Sequence, residues 1–438
     1  MPGVLNKKKS GGQMRPDWTL IGYSDCPQTT LDGHAYALDI HDNWDATLTS
    51  AYQMFYQDYK LMYFPKNIDT SNLTNMQQMF KESNIEDLYI DASGVTGAGL
   101  NEICKGASNL RSVDIEGVAN LNQSVLTSLA NSFQDCYALE EIDVSKEADR
   151  RPGIWYVTSI TSIDHLCSGC RSLKEFSIVM GSGETTLANA GDAFRDCYSM
   201  EYLQVYLEGC NRLGCYEMGK NTASGTLCDI DVGSYNNNDG FYNFQGSKIA
   251  AGSHIQLERL NTNQMELFKN STFDIDDTSW LWIDPTTTVN ALNMFNNATF
   301  PHGLSGMAAL KIYNISNANS MFRSSHFTGI NKSIDFTNIS FNNCTNFQSM
   351  FEASEVVTIT GTVDLTYATN LTSMFTNCHN LDNATLDNIL FWLIDANSYT
   401  GTKTLAAIGF TSADYPAATI QNLSNYSAFT AAGWSIGY

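Results

Sequence analysis

The stretch Phe133-Gln-Asp-Cys136-Tyr-Ala-Leu139-Glu-Glu-Ile142-Asp-Val144 has a near copy in Phe194-Arg-Asp-Cys197-Tyr-Ser-Met200-Glu-Tyr-Leu203-Gln-Val205. Both run large apolar, two residues, small, two residues, apolar, and then apolar–x–apolar. Cys167, Cys170, Leu173, Phe176 and Ile178 keep the same order, and Cys104, Ala107, Leu110, Val113 and Ile115 form a degenerate copy. With the first residue as anchor, copies fall at Phe55, Phe80, Cys104, Phe133, Cys167, Phe194, Phe244, Phe268, Phe295, Phe322, Phe351 and Phe375. Neighbouring anchors lie 24 to 34 residues apart except between Phe194 and Phe244, where an eroded copy is expected near Met218. A period in this range marks a solenoid, whose units bury their apolar faces only against one another. Function is then expected on a surface rather than in a catalytic pocket.

Upstream of each anchor, apolar residues fall at helical spacing, as in Leu73, Met76, Met79 and Phe80 or Leu126, Leu129 and Phe133. Downstream, Leu88-Tyr89-Ile90 and Ile142-Asp143-Val144 alternate as strands do. Each unit thus reads as a short helix or 3₁₀ segment, a turn and a short strand. The expected fold is an α/β repeat solenoid with one continuous parallel sheet and capped ends. Five segments follow: an N-terminal arm and cap over 1–47, a first repeat block over 48–205, irregular repeats or an insertion over 206–262, a second block over 263–385, and a C-terminal cap over 386–438. In the arm, Trp18, Leu20, Ile21 and Tyr23 alternate, and Tyr36 to Ile40 reads as a second short strand. The cap reads as a helix over Leu386 to Leu393, a strand over Thr402 to Leu405, a second helix, and a last strand ending at Tyr438.

The formal net charge of −22 argues against nucleic acid, whose phosphates need clustered Lys and Arg. The basic cluster is Lys7, Lys8 and Lys9 with Arg15 nearby; it reads as a solvated tail or as a docking arm for an acidic partner, with Trp18 beside it. The most apolar stretch, Ile389 to Ile394, is far short of the ~20 residues of a membrane span. Met1 to Arg15 lacks the apolar core of a secretory signal. Use inside a cell, release by lysis, or removal of a signal are the expectations that leaves. Of the 11 cysteines, Cys136, Cys170, Cys197 and Cys378 take the small position and Cys104 and Cys167 the anchor position. Buried free thiols from a reducing cytosol are expected rather than a disulfide framework.

Catalytic signals are weak. Cys167-Ser-Gly-Cys170 has redox or metal spacing, yet both cysteines coincide with core positions of the repeat. His34, His41, His165, His254, His302, His326 and His379 show no metal-ligand spacing, and a His165–Cys167 dyad would need an exposed thiol. Asp274, Asp276, Asp277 and Asp284, with Asp229, Asp231 and Asp239, read as solvated turn residues or as calcium ligands, in an order that fits no EF-hand. Gly94, Gly97 and Gly99 lack the Lys of a phosphate loop. No enzyme, cofactor or metal is expected. Aromatic residues are the stronger candidates: Tyr52, Tyr56, Tyr59 and Tyr63 surround the first anchor, and Trp280 and Trp282 sit two apart in one strand and share a face. Core packing and an exposed platform for a sugar or protein partner are both open readings of the tryptophans. Asn237 and Asp239, in the turn Asn236 to Gly240, join them as candidate partner-binding residues.

Leu73-Thr-Asn-Met76-Gln-Gln-Met79-Phe80 and Leu371-Thr-Ser-Met374-Phe375-Thr-Asn-Cys378-His-Asn-Leu381 resemble the BspA-like leucine-rich repeats, found in surface proteins of anaerobic bacteria and in proteins of their phages. The resemblance covers roughly residues 48–385 and leaves 206–262 outside it. It implies a leucine-rich-repeat-like stack and supplies no catalytic residues. The ending Leu386 to Tyr438, with Gly433-Trp-Ser-Ile436, resembles the region that follows such repeats in phage-encoded tail and fibre-like proteins. The expectation is a non-enzymatic phage virion protein, a tail- or fibre-associated adhesion or receptor-binding component. Lys7, Lys8, Lys9, Arg15 and Trp18 would dock it to other virion proteins, and its repeat surface would meet a host protein or glycan. A bacterial cell-surface adhesin is the alternative, and a homo-oligomer is open in either case.

Overall fold

Asp87-Leu-Tyr-Ile-Asp91 forms a strand whose Leu88 and Ile90 are buried while Asp87, Tyr89 and Asp91 stay partly exposed, the division that alternation on a pleated backbone dictates. Ser112–Glu116 divides in the same way, with Val113 and Ile115 buried. The computed structural model describes residues 44–65, 68–116, 126–143, 154–157, 160–180, 189–208, 212–233, 241–258, 265–284, 288–304, 309–341 and 343–438. The chain divides into two compact units, Met1–Thr222 and Ala223–Tyr438.

In the first unit, β1 (Asp87–Asp91), β2 (Ser112–Glu116) and β3 (Glu141–Asp143) pair in parallel, with Leu88 opposite Val113 and Val113 opposite Ile142. A second parallel set joins β4 (Ile154–Val157), β5 (Glu175–Met180) and β6 (Tyr202–Glu208), with Phe176 opposite Leu203 and Ile178 opposite Val205. Strand β7 (Arg212–Gly214) follows, and its Leu213 bridges to Ala190.

In the second unit, β8 (Leu227–Gly233) is followed by β9 (Phe241–Asn243), β10 (Lys248–Ile249), β11 (His254–Glu258), β12 (Thr272–Phe273) and β13 (Trp280–Asp284). Strands β14 (Val289–Asn290), β15 (Ala309–Ile312), β16 (Ile315–Asn317), β17 (Ser333–Asp335) and β18 (Thr358–Thr360) complete it. Parallel pairing runs from β8 to β11, to β13 and to β15, and separately joins β10 to β12, β14 to β16 and β17 to β18. Each unit is therefore a parallel β-solenoid, its core filled by the buried apolar residues of its turns and strands.

The helical segment expected at each anchor is not formed. Linked turns replace it, and at most anchors the residues two before and two after take positive φ: Gln53 and Gln57 around Phe55, Gln78 and Glu82 around Phe80, Asn293 and Asn297 around Phe295. Alternate N–H groups leave the turn for the next repeat. Those of Phe55, Phe80 and Phe295 donate to the carbonyls of Met79, Ile103 and Met321, each at 2.8 Å. The others close three-residue steps within the turn, as Met54 N–H to Ala51 O at 3.0 Å. A helix would keep all its N–H groups for its own carbonyls; here half of them tie one repeat to another.

This ladder locates the eroded copy. The N–H groups of Phe55, Phe80, Cys104, Phe133 and Cys167 each donate to the residue just before the next anchor, and Phe194 N–H donates to Gly214 O at 2.9 Å. The missing anchor is Cys215, and Met218 occupies its small position; both are buried.

Anchor side chains stack into columns. In the second unit Phe244, Phe268, Phe295, Phe322, Phe351 and Phe375 follow one another at centroid distances of 5.2 to 5.8 Å, and four of the five successive pairs are within 6° to 9° of parallel. Phe273, Phe300 and Phe327 form a second column beside it at 5.5 and 5.2 Å. At the small position a weak donor meets the anchor carbonyl of the preceding repeat: Cys136 Sγ to Cys104 O, Cys170 Sγ to Phe133 O, and Ser271 Oγ to Phe244 O, at 3.1, 3.1 and 2.7 Å. The nine cysteines among the described residues are buried thiols outside any disulfide.

Among the described residues the α-helices all follow the last repeat. They are α1 (Asn383–Ile394), capped by Asp382 accepting from Thr385 N–H at 2.7 Å, then α2 (Ala417–Gln421) and α3 (Tyr426–Ala431). In place of the two strands expected here, a single parallel bridge joins Thr404 to Ser435.

Candidate functional site

Strand β13 lies between β11 and β15, so each of its outward residues has an in-register neighbour on both sides. Asp229, His254, Trp280 and Ala309 form one row across the strands; Asp231, Gln256, Trp282 and Lys311 form the next but one. Between them Ile230, Ile255, Leu281 and Leu310 point inward and are buried. Both tryptophans therefore stand outside the core, half-buried on the outward face.

Their ring faces are engaged. The His254 ring stacks on Trp280 at 5.1 Å and 21°, and Lys311 Nζ stands 5.1 Å over the Trp282 ring. Such cation–π contacts contribute about 0.5–1 kcal/mol at exposed sites. Trp282 Nε1 is buried without a hydrogen-bond partner among the described residues.

The turn before β13 explains the aspartates there. Asp276 Oδ1 accepts from Thr278 Oγ1 at 2.7 Å, Ser279 Oγ at 3.0 Å and Thr278 N–H at 3.0 Å. The Thr278 hydroxyl foremost holds this carboxyl down at about 2. Asp274 meets His302 Nε2 at 3.2 Å. No group of three or more His, Cys, Asp or Glu side chains is placed to hold a metal among the described residues.

Cys167 and Cys170 are buried in the core, and burial holds the Cys167 thiol well above its usual range. His165 faces carboxylates, with Asp164 at 3.1 Å and Asp192 at 3.7 Å. Around the first anchor, Tyr59 is 62% exposed and Tyr63 Oη lies 3.5 Å from Glu86. Lys7, Lys8, Lys9, Arg15, Trp18, Asn237 and Asp239 lie outside the described residues.

Two features escaped the sequence reading. One is a surface row, Tyr137–Arg171–Tyr198, formed by the residue four places after the anchor in successive repeats. The other is an Asn column five places before the anchor, where Asn75, Asn290, Asn317, Asn346 and Asn370 each accept from the N–H two residues on, at 2.9 to 3.2 Å. Aligning the copies on their anchors exposes both.

The chain is a solenoid repeat scaffold with polar and aromatic rows turned outward. A family model described as a Mycoplasma protein of unknown function, DUF285, matches residues 30–91. No curated protein and no solved structure matches the chain. The family match and the parallel solenoid are consistent with a BspA-like repeat protein.

Proposed function

We propose that this chain is a non-enzymatic adhesion or receptor-binding component of a phage virion, carried in a tail or fibre. The observation that carries the binding role is the outward face of β11, β13 and β15, where His254, Trp280, Trp282 and Lys311 gather. Aromatic and cationic side chains concentrate binding energy at interfaces. The ending Gly433-Trp-Ser-Ile436, with its resemblance to phage tail and fibre-like proteins, supports the particle. The segment with Lys7, Lys8, Lys9, Arg15 and Trp18 would join it to other virion proteins.

A bacterial cell-surface adhesin is the second reading, and the match to a family model described from Mycoplasma favours it. Proteomics of gradient-purified particles beside surface-shaved, uninfected cells separates the two. Stoichiometric recovery in particles supports the virion; recovery from the cell surface alone overturns it in favour of the adhesin. In either setting Trp282→Ala should weaken host-surface binding about tenfold, and unchanged binding would remove this face from the account.

A further inference from the structure

In three consecutive repeats of the first unit the residue four places after the anchor is Tyr137, Arg171 and Tyr198. Repeat stacking brings them into a row. Arg171 Cζ stands 4.7 Å from the Tyr137 ring centroid and 5.8 Å from that of Tyr198, so the guanidinium lies between two aromatic rings. Lys220 Nζ, 6.0 Å from the Tyr198 ring, continues the row. Beside it Arg195 Cζ lies 5.4 Å from the Tyr216 ring.

The cations differ in what else they hold. Arg195 is shared by Asp192 at 3.5 Å and Asp196 at 3.6 Å, and Lys220 is paired with Glu217 at 3.1 Å. Asp196 also feels the charge of Arg171, yet Arg171 makes no ion pair among the described residues. Arg171 is exposed, and Tyr137 is 42% exposed. A guanidinium flanked by rings keeps its N–H edge for solvent or a ligand, and part of its ordering entropy is already spent before anything binds. Its fork matches the two oxygens of a carboxylate or phosphate. On a chain of net charge −22, most of the surface repels such an anion, which gives a local cationic and aromatic row its selectivity.

We propose that the row Tyr137, Arg171, Tyr198 and Lys220 binds an anionic glycan, Arg171 taking a carboxylate or phosphate group and the exposed tyrosine face taking a sugar ring. This names a ligand class for an adhesion protein, but it stands on other residues than the tryptophan face and on a readout that needs no particle or cell. The two readings therefore fail separately.

The test is affinity electrophoresis and calorimetry of the full chain against polygalacturonate, a phosphorylated mannan and neutral dextran. Binding is expected to at least one anionic polymer, to weaken with salt, and to be absent for dextran. The polymer that binds identifies whether carboxylate or phosphate is the partner. Arg171→Gln should lower affinity about tenfold or more, and Arg171→Lys should lose part of it, because charge is kept but the fork is not. Melting curves by circular dichroism confirm that each variant folds; should Arg171→Gln fail to fold, Tyr137→Ala and Lys220→Gln carry the comparison. No binding to either anionic polymer, equal binding to dextran, or wild-type affinity in the folded variants would overturn the proposal.

Discussion

The residues two before and two after most anchors decide whether this fold can form, because they carry the left-handed backbone. Ser349 is such a residue, with φ 54° and little exposure, and its N–H donates to Thr372 O at 3.0 Å. The left-handed region costs L-residues about 1–2 kcal/mol, and a β-branched side chain more. Where these positions take positive φ they hold Gln, Glu, Asn, Asp, Ser, His, Ala or Gly, and none holds Val, Ile or Thr; Leu213 and Tyr242, two before Cys215 and Phe244, do not take it. Ser349→Val should therefore lower unfolding stability by about 1–3 kcal/mol, whereas Ser349→Gly should leave it level or raised. Denaturant melts of the two variants check the sign. Equal loss in both would mean that the serine side chain, and not the backbone, is what the site needs. Here lies the main miss of the sequence reading. Apolar residues three and four apart satisfy a helix and a pair of linked turns alike, so the periodicity could not separate them. What separates them is the absence of β-branching at the flanking polar positions.

A rung is stable because it hands its anchor ring to the next. Phe295 stacks on Phe268 at 5.5 Å and on Phe322 at 5.2 Å, and meets Phe273 and Phe300 edge-on at 5.7 and 5.9 Å. Deleting it removes contacts in two neighbouring repeats at once. Phe295→Ala should cost about 3–5 kcal/mol, and Phe295→Leu, which fills more of the space, less. Hydrogen exchange read at amides of the flanking repeats is the decisive check, since loss confined to the Phe295 turn would contradict a shared column. The anchors, their period and the alternating strands were legible in the sequence, because burial writes them directly as apolar spacing. The second column of Phe273, Phe300 and Phe327 was equally written, five places after each anchor, and becomes visible only when the repeats are aligned. The candidate surface was less legible. That Trp280 and Trp282 share a face follows from strand alternation, but that His254 and Lys311 cover them depends on register between strands far apart in sequence.

At the scale of the molecule a solenoid must stop somewhere, and a stack ends safely only where its last rung is covered. The chain meets this by imitating one more repeat. Phe375 N–H, which in the ladder would reach the residue before a next anchor, donates to Ile408 O at 2.9 Å, and Phe410 packs on the Phe375 ring at 5.2 Å. Tyr415 then bonds through its hydroxyl to Cys378 O and accepts from Leu381 N–H at 3.1 Å. A chain ending after Ala396 would keep every repeat of the second unit but leave Phe375 and its N–H uncovered. An open parallel edge over an apolar column is a template for another copy. Such a truncation should therefore associate, eluting as oligomer or aggregate in size-exclusion chromatography with light scattering, and restoring residues 397–438 should reverse it. A monodisperse truncated chain with an unchanged melting curve would show that the terminal rung needs no cover, and that the segment after α1 was retained for something other than ending the stack.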